Sequence, residues 1–156
     1  MNVRKIFQVP GDTLYGALAL LLLRLVAGLA FVFHGWPKIQ SPFGWMGPDG
    51  FAPGFFQALA ALAEFGGGVA WMLGLLTPLA AVGIAITMVV AFSFHAFMMG
   101  DPFVSYTGEG MSSPAAVYFC IAVVFLALGP GRFSLDRLIF GTRENAAEGG
   151  GELQPE

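Results

Sequence analysis

Leu14-Tyr15-Gly16-Ala17-Leu18-Ala19-Leu20-Leu21-Leu22-Leu23-Arg24-Leu25-Val26-Ala27-Gly28-Leu29-Ala30-Phe31-Val32-Phe33 is a twenty-residue run with one charged side chain, Arg24. A helix rising about 1.5 Å per residue covers a hydrocarbon core of about 30 Å in that length, so the run reads as a membrane span. Two further runs have the same character: Phe55–Leu76, with Glu64 inside it, and Leu79–Met99, with no Asp, Glu, Lys or Arg at all. A fourth, Ala115–Leu128, is only 14 residues long. It is expected to cross as a short upright span over about 114–129, borrowing Ser112–Pro114 at one end, with a re-entrant segment as the alternative. The pattern predicts an all-α membrane protein, a four-helix transmembrane bundle with spans near 14–33, 55–76, 79–99 and 114–129.

Composition agrees. The chain has 156 residues, 56% of them hydrophobic and 11% charged, with a mean hydropathy of +0.74. A soluble domain carries about 25% charged residues. The net charge is −3, and no basic patch with interleaved aromatics exists to bind nucleic acid. The one cysteine, Cys120, rules out an intrachain disulfide or dithiol pair, and its position in an apolar run reads as a small buried hydrophobe.

Punctuation sets the boundaries. Thr77-Pro78 and Ser113-Pro114 each read as an N-cap followed by proline at the first helical position. Spans two and three are then joined by a minimal turn and run antiparallel. Gly35–Gly54 and Gly100–Ser113 are rich in glycine, proline and aromatic residues and read as loops. Arg4 and Lys5 ahead of the first apolar run resemble the start of a signal peptide, but Asp12 and Arg24 argue for an uncleaved span.

Arg4 and Lys5 precede span one and Arg132, Arg137 and Arg143 follow span four, while the other loops hold only Lys38. The positive-inside rule then places both termini in the cytoplasm, N-in/C-in. Residues 1–13 form a cytoplasmic N-terminal segment, Phe133–Phe140 a short amphipathic helix at the interface, and 141–156 an acidic disordered tail. Ala30-Phe31-Val32-Phe33-His34 echoes Ala91-Phe92-Ser93-Phe94-His95, which suggests a parallel two-helix repeat.

Arg24 and Glu64 carry most of the organisational argument. An ionisable group in hydrocarbon costs about 2.5–3.5 kcal/mol on insertion scales. Each lies near the middle of its run, and small residues share its helical side, so the two are expected to meet as an intramembrane ion pair. Such a pair either fixes helix registration or builds a substrate, proton or quinone site. His34, Trp36, Lys38 and His95 near the outer ends form the candidate ligand or quinone pocket. Neutral imidazole can relay protons, hydrogen-bond a quinone carbonyl or act as an axial haem ligand, haem being the weaker alternative. Asp49, Asp101 and Glu109 read as solvated loop carboxylates rather than as a metal site. Trp36, Trp45, Phe43, Phe51 and Phe55 read as an interfacial aromatic belt.

These residues resemble the DoxX family of small bacterial membrane proteins. The resemblance rests on the arginine of span one, His34-Gly35-Trp36-Pro37-Lys38, Glu64-Phe65-Gly66-Gly67-Gly68, Leu73-Gly74-Leu75-Leu76-Thr77-Pro78 and Gly129-Pro130-Gly131-Arg132-Phe133-Ser134-Leu135-Asp136. It covers about residues 14–140. It implies a multi-pass protein of the bacterial cytoplasmic (inner) membrane whose partners are the lipid bilayer and a soluble oxidoreductase or other membrane subunit. The implied role is a redox-associated, quinone-linked accessory subunit or a membrane anchor for a soluble oxidoreductase, with a non-enzymatic membrane assembly factor or small-solute transport protein as the alternative. No catalytic residue set follows from it.

Overall fold

A computed structural model describes residues 13–107 and 110–141. The expectations for the N-terminal segment, for Glu109 and for the tail beyond Gly141 lie outside the described residues. Among those described, every regular element is helical: α1 Leu14–Ile39, α2 Gly54–Leu73, α3 Thr77–Met98, α4 Ser113–Leu128 and α5 Leu135–Phe140. Helices α1, α2 and α3 are long and apolar enough to cross a membrane, while α4, at 16 residues, is shorter.

The first helix starts where Thr13 accepts a hydrogen bond from the Gly16 amide at 3.2 Å. It runs six residues past Phe33, which corrects the expected loop: His34 to Lys38 are helical, and Pro37 sits inside the helix. Proline there removes one backbone donor, tolerable in the last turn. Two other helices are widened. Leu62–Gly66 in α2 and Phe94–Met98 at the end of α3 are π-helical turns. Each adds a residue to the local turn and shifts the faces on either side of it.

Helices α1 and α2 pack antiparallel at backbone contact. A methyl group on Gly28 would lie 2.7 Å from the Gly68 carbonyl oxygen, and one on Gly68 would lie 2.7 Å from that of Gly28. Without a hydrophobic drive between helices in lipid, such close approach and the dispersion it allows hold them together. The centre of the molecule is an aromatic stack from three helices. Phe31 of α1 meets Trp71 of α2 edge-on at 5.5 Å, and Trp71 meets Phe125 of α4 at 4.7 Å. Ala27, Ala81, Ile84 and Ala122 fill the gaps. Leu22, Val26 and Phe33 of α1, Ile86 and Val89 of α3 and Val117 of α4 point outward, an apolar exterior suited to lipid. Cys120 is also on that exterior, not buried as its apolar surroundings suggested.

The end of the molecule holding the α2–α3 turn is built around Arg24, which is 1% exposed. Its Nε donates to the Trp71 carbonyl at 2.8 Å and Nη2 to that of Met72 at 3.2 Å, the last turn of α2. Nη1 donates to the carbonyls of Pro130 at 2.6 Å and Phe133 at 2.9 Å. Helix C-termini and free carbonyls are natural partners for a cation. Gly74, with φ +64°, passes so close that a side chain there would strike the guanidinium. Asp136, fully buried, accepts from the amides of Leu76 at 2.6 Å and Thr77 at 2.8 Å. It thereby caps α3 from sixty residues away and holds Leu76 in its left-handed conformation, φ +49°. The short helix expected near 133–140 is α5, but this carboxylate points into the protein.

The expected pairing of Arg24 with Glu64 is therefore corrected. Along α1, Arg24 faces Trp71 and Met72, Gly28 faces Gly68, and Gly35 faces Phe65. Glu64 thus lies level with a point eleven or more residues beyond Arg24, about 16 Å along the axis. The apolar runs are of similar length, yet α1 overhangs the end of α2 by some two to three turns, where Leu20 packs on Gly131. Hydropathy alone does not set that offset.

Candidate functional site

Glu64 sits in the widened turn of α2 with its side chain 4% exposed. Its partner is Lys38, one of the residues brought inward because α1 continues past Phe33. Lys38 Nζ donates to Glu64 Oε1 at 2.6 Å and Oε2 at 2.7 Å. Gly35, Phe31 and Lys38 share the face of α1 that meets α2, so the lysine stem lies along the seam. The ammonium also stands 4.5 Å from the centre of the Trp45 ring, a cation–π contact.

The loop supplying Trp45 is tied down by Gln57, a buried residue of α2. Its side-chain oxygen accepts from the Met46 amide at 3.0 Å, its side-chain nitrogen donates to the Ala52 carbonyl at 2.8 Å, and its backbone carbonyl accepts from Trp45 Nε1 at 3.0 Å. Phe51 of the same loop stacks on Phe94 of α3 with ring centres 5.1 Å apart and planes 17° apart. Gln57 gave no functional signal in the sequence, since one glutamine at the start of an apolar run is ordinary.

Between α2 and α3 lies a groove of about 940 Å³. Small residues run along its walls, Ala60, Ala63 and Gly67 on one side and Ala80, Gly83 and Ala91 on the other. Lys38 and Glu64 line it, and so does His95. Near the mouth His95 Nδ1 is 2.6 Å from Asp101 Oδ2, and the Asp101 amide donates back to the His95 carbonyl at 2.9 Å. A methyl group on Gly83 would touch Ala63. His95 lies twelve residues along α3 from that level, about 18 Å. The groove therefore carries two polar stations at different heights, one deep and one at the mouth.

Of the four pocket candidates, Lys38 and His95 share this groove. His34 and Trp36 do not line it: His34 is exposed and approaches Tyr118 of α4 at 6.4 Å, and Trp36 leans on Phe65 at 5.7 Å. Sequence spacing grouped them because His34, Trp36 and Lys38 are close in the chain; in a helix Trp36 is turned about 200° from the other two, and His34, one turn before Lys38, stands on the side of that face beside Tyr118 of α4. Asp101 was read as a solvated loop carboxylate and is instead the partner of His95.

The helices and their apolar exterior define an all-helical integral membrane protein with a largely apolar groove that holds one buried ion pair. A family profile, DoxX, matches residues 19–97, and this chain belongs to that family. It is similar to the inner membrane protein YqjF of Escherichia coli, with 36% identity over 76% of this chain and 90% of the relative. It is also similar to the uncharacterized membrane protein Rv3486 of Mycobacterium tuberculosis, with 34% identity over 78% of this chain and 82% of that protein. No solved structure matches it.

Proposed function

We propose that this protein is a redox-associated accessory subunit of the bacterial inner membrane that binds quinone or anchors a soluble oxidoreductase. The observation that carries this reading is the Lys38–Glu64 pair set deep in an otherwise apolar groove. An ion pair in hydrocarbon with one face open to a cavity is better explained by a ligand than by stability, since apolar side chains would fill the space at no desolvation cost. The groove is of the size that takes a small ligand.

In this reading α4 crosses with the other three, giving a four-helix transmembrane bundle with both termini in the cytoplasm. Arg132 and Arg137 lie at the α2–α3 turn end, which supports that orientation. The groove mouth then faces the periplasm. Two tight antiparallel pairs, α1 with α2 and α3 with α4, suit a duplicated two-helix unit. The membrane domain runs over 14–140.

Gentle purification followed by lipid extraction and quinone analysis tests the proposal. Co-purified quinone in the wild type that falls in a Lys38→Met variant supports it. A protein that neither retains nor binds quinone, and that recovers no oxidoreductase partner, belongs to the alternative class of assembly or small-solute transport proteins.

A further inference from the structure

The lining of the α2–α3 groove changes along its length. Toward the mouth it is aromatic and polar: Trp45, Phe51, Phe94 and His95, with Lys38 and Glu64 beneath them. Ala63 and Gly83 flank the level of that pair, and toward the α2–α3 turn the lining is small and aliphatic, with Gly67, Ala70 and Ala80 below and Leu76 and Leu79 at the end. Aromatic rings favour a flat ring stacked or edge-on against them, whereas small aliphatic walls favour a hydrocarbon chain.

Charge narrows the ligand further. Lys38 is the one Lys or Arg among the described residues of the lining, and both oxygens of Glu64 already bind it. A phosphate headgroup would have to break that pair and would face the carboxylate it displaced. A lysine ammonium has three donors, and two are used here, so one remains for a carbonyl oxygen. The site therefore suits an uncharged ring bearing oxygen acceptors.

Resting on the quinone reading above, we propose that the ligand binds in one orientation. Its ring lies in the outer half of the groove with a carbonyl on Lys38 Nζ, and its single hydrocarbon tail runs down the small-residue seam toward Leu76 and Leu79. His95 and Asp101 stand above the ring at the mouth. The tail contributes to affinity through Gly67, Ala70 and Ala80, and anionic phospholipids are excluded by the neutralised lysine.

The full chain in phosphatidylcholine nanodiscs, titrated with a decyl-tailed benzoquinone and with the same ring lacking the tail, tests this. The readout is tryptophan fluorescence, because Trp45 lines the groove while Trp36 and Trp71 do not; Trp45→Phe should remove most of the quench. Ala70→Leu, or Ala80→Leu on the opposite wall should the first fail to fold, is expected to weaken the tailed quinone about tenfold and leave the tail-less ring unchanged. Equal affinity for both ligands, or tailed binding indifferent to both plugs, overturns the orientation while leaving quinone binding intact. Competition by phosphatidylglycerol at equal concentration overturns the neutral-head assignment. No saturable quench by either ligand ends the quinone reading itself, and the orientation with it.

Discussion

Lys38 Nζ holds both carboxylate oxygens of Glu64, at 2.6 and 2.7 Å, across the seam between α1 and α2. The two ends of this contact are not equivalent. Lys38 is 24% exposed at its side chain and Glu64 is 4% exposed. The lysine can reach polar surroundings on its own, and the carboxylate cannot.

The first prediction uses that asymmetry. Lys38→Met strands Glu64 and should cost about 3–5 kcal/mol. Glu64→Gln leaves a partly covered lysine beside a neutral amide of the same shape, and should cost about 1–3 kcal/mol. The double variant should recover part of the loss. Thermal unfolding in detergent, read as a double-mutant cycle, measures all three; Glu64→Gln as the worse single variant would contradict the burial order.

Arg24 should behave as a separate unit. Its guanidinium binds four carbonyls from two segments, a fork that lysine does not reproduce. Arg24→Lys should therefore destabilise by about 2–4 kcal/mol, the range of several lost charged hydrogen bonds. Combined with Glu64→Gln the effects should add within about 0.5 kcal/mol, as for residues with no shared partner. A coupling above 1 kcal/mol in the same unfolding assay would restore a direct connection between the two charges.

Asp136 offers a local test. Asp136→Ala removes both acceptors from the start of α3 and frees Leu76 from the contact that holds its backbone. A loss of about 1–2 kcal/mol is expected. Limited proteolysis should then show cleavage in the 73–77 turn, and hydrogen exchange should rise at Leu76 and Thr77. Unchanged exchange at those two amides would mean the cap is dispensable.

The histidines should separate in function. His34 lies outside the groove and His95 inside it. His34→Gln should leave quinone affinity within twofold of wild type, whereas His95→Phe should lower it several-fold by filling the mouth. Fluorescence titration in nanodiscs gives both values. A larger loss in His34→Gln than in His95→Phe would move the site to the α1–α4 face.

The apolar runs were legible because hydrocarbon imposes a length and a polarity that any spanning helix must satisfy. The starts of α3 and α4 and the need for buried charges to find partners could also be read locally, although Thr77 and Ser113 are the first helical residues rather than the expected caps, and Asp136 caps α3 instead. Which partner each charge finds could not. Arg24 and Glu64 look symmetric along the chain, and only the overhang of α1 past α2 sends one to the carbonyls of 71–72 and 130–133 and the other to Lys38. That overhang follows from Gly28 meeting Gly68 at backbone contact, a three-dimensional fit with no counterpart in hydropathy. The π turns at 62–66 and 94–98 likewise re-aim Glu64 and His95 in ways a 3.6-residue period misses. Sequence determined that this chain lives in a membrane and which of its side chains are costly there. Helix register, which depends on the shape of both surfaces at once, decided how those side chains meet.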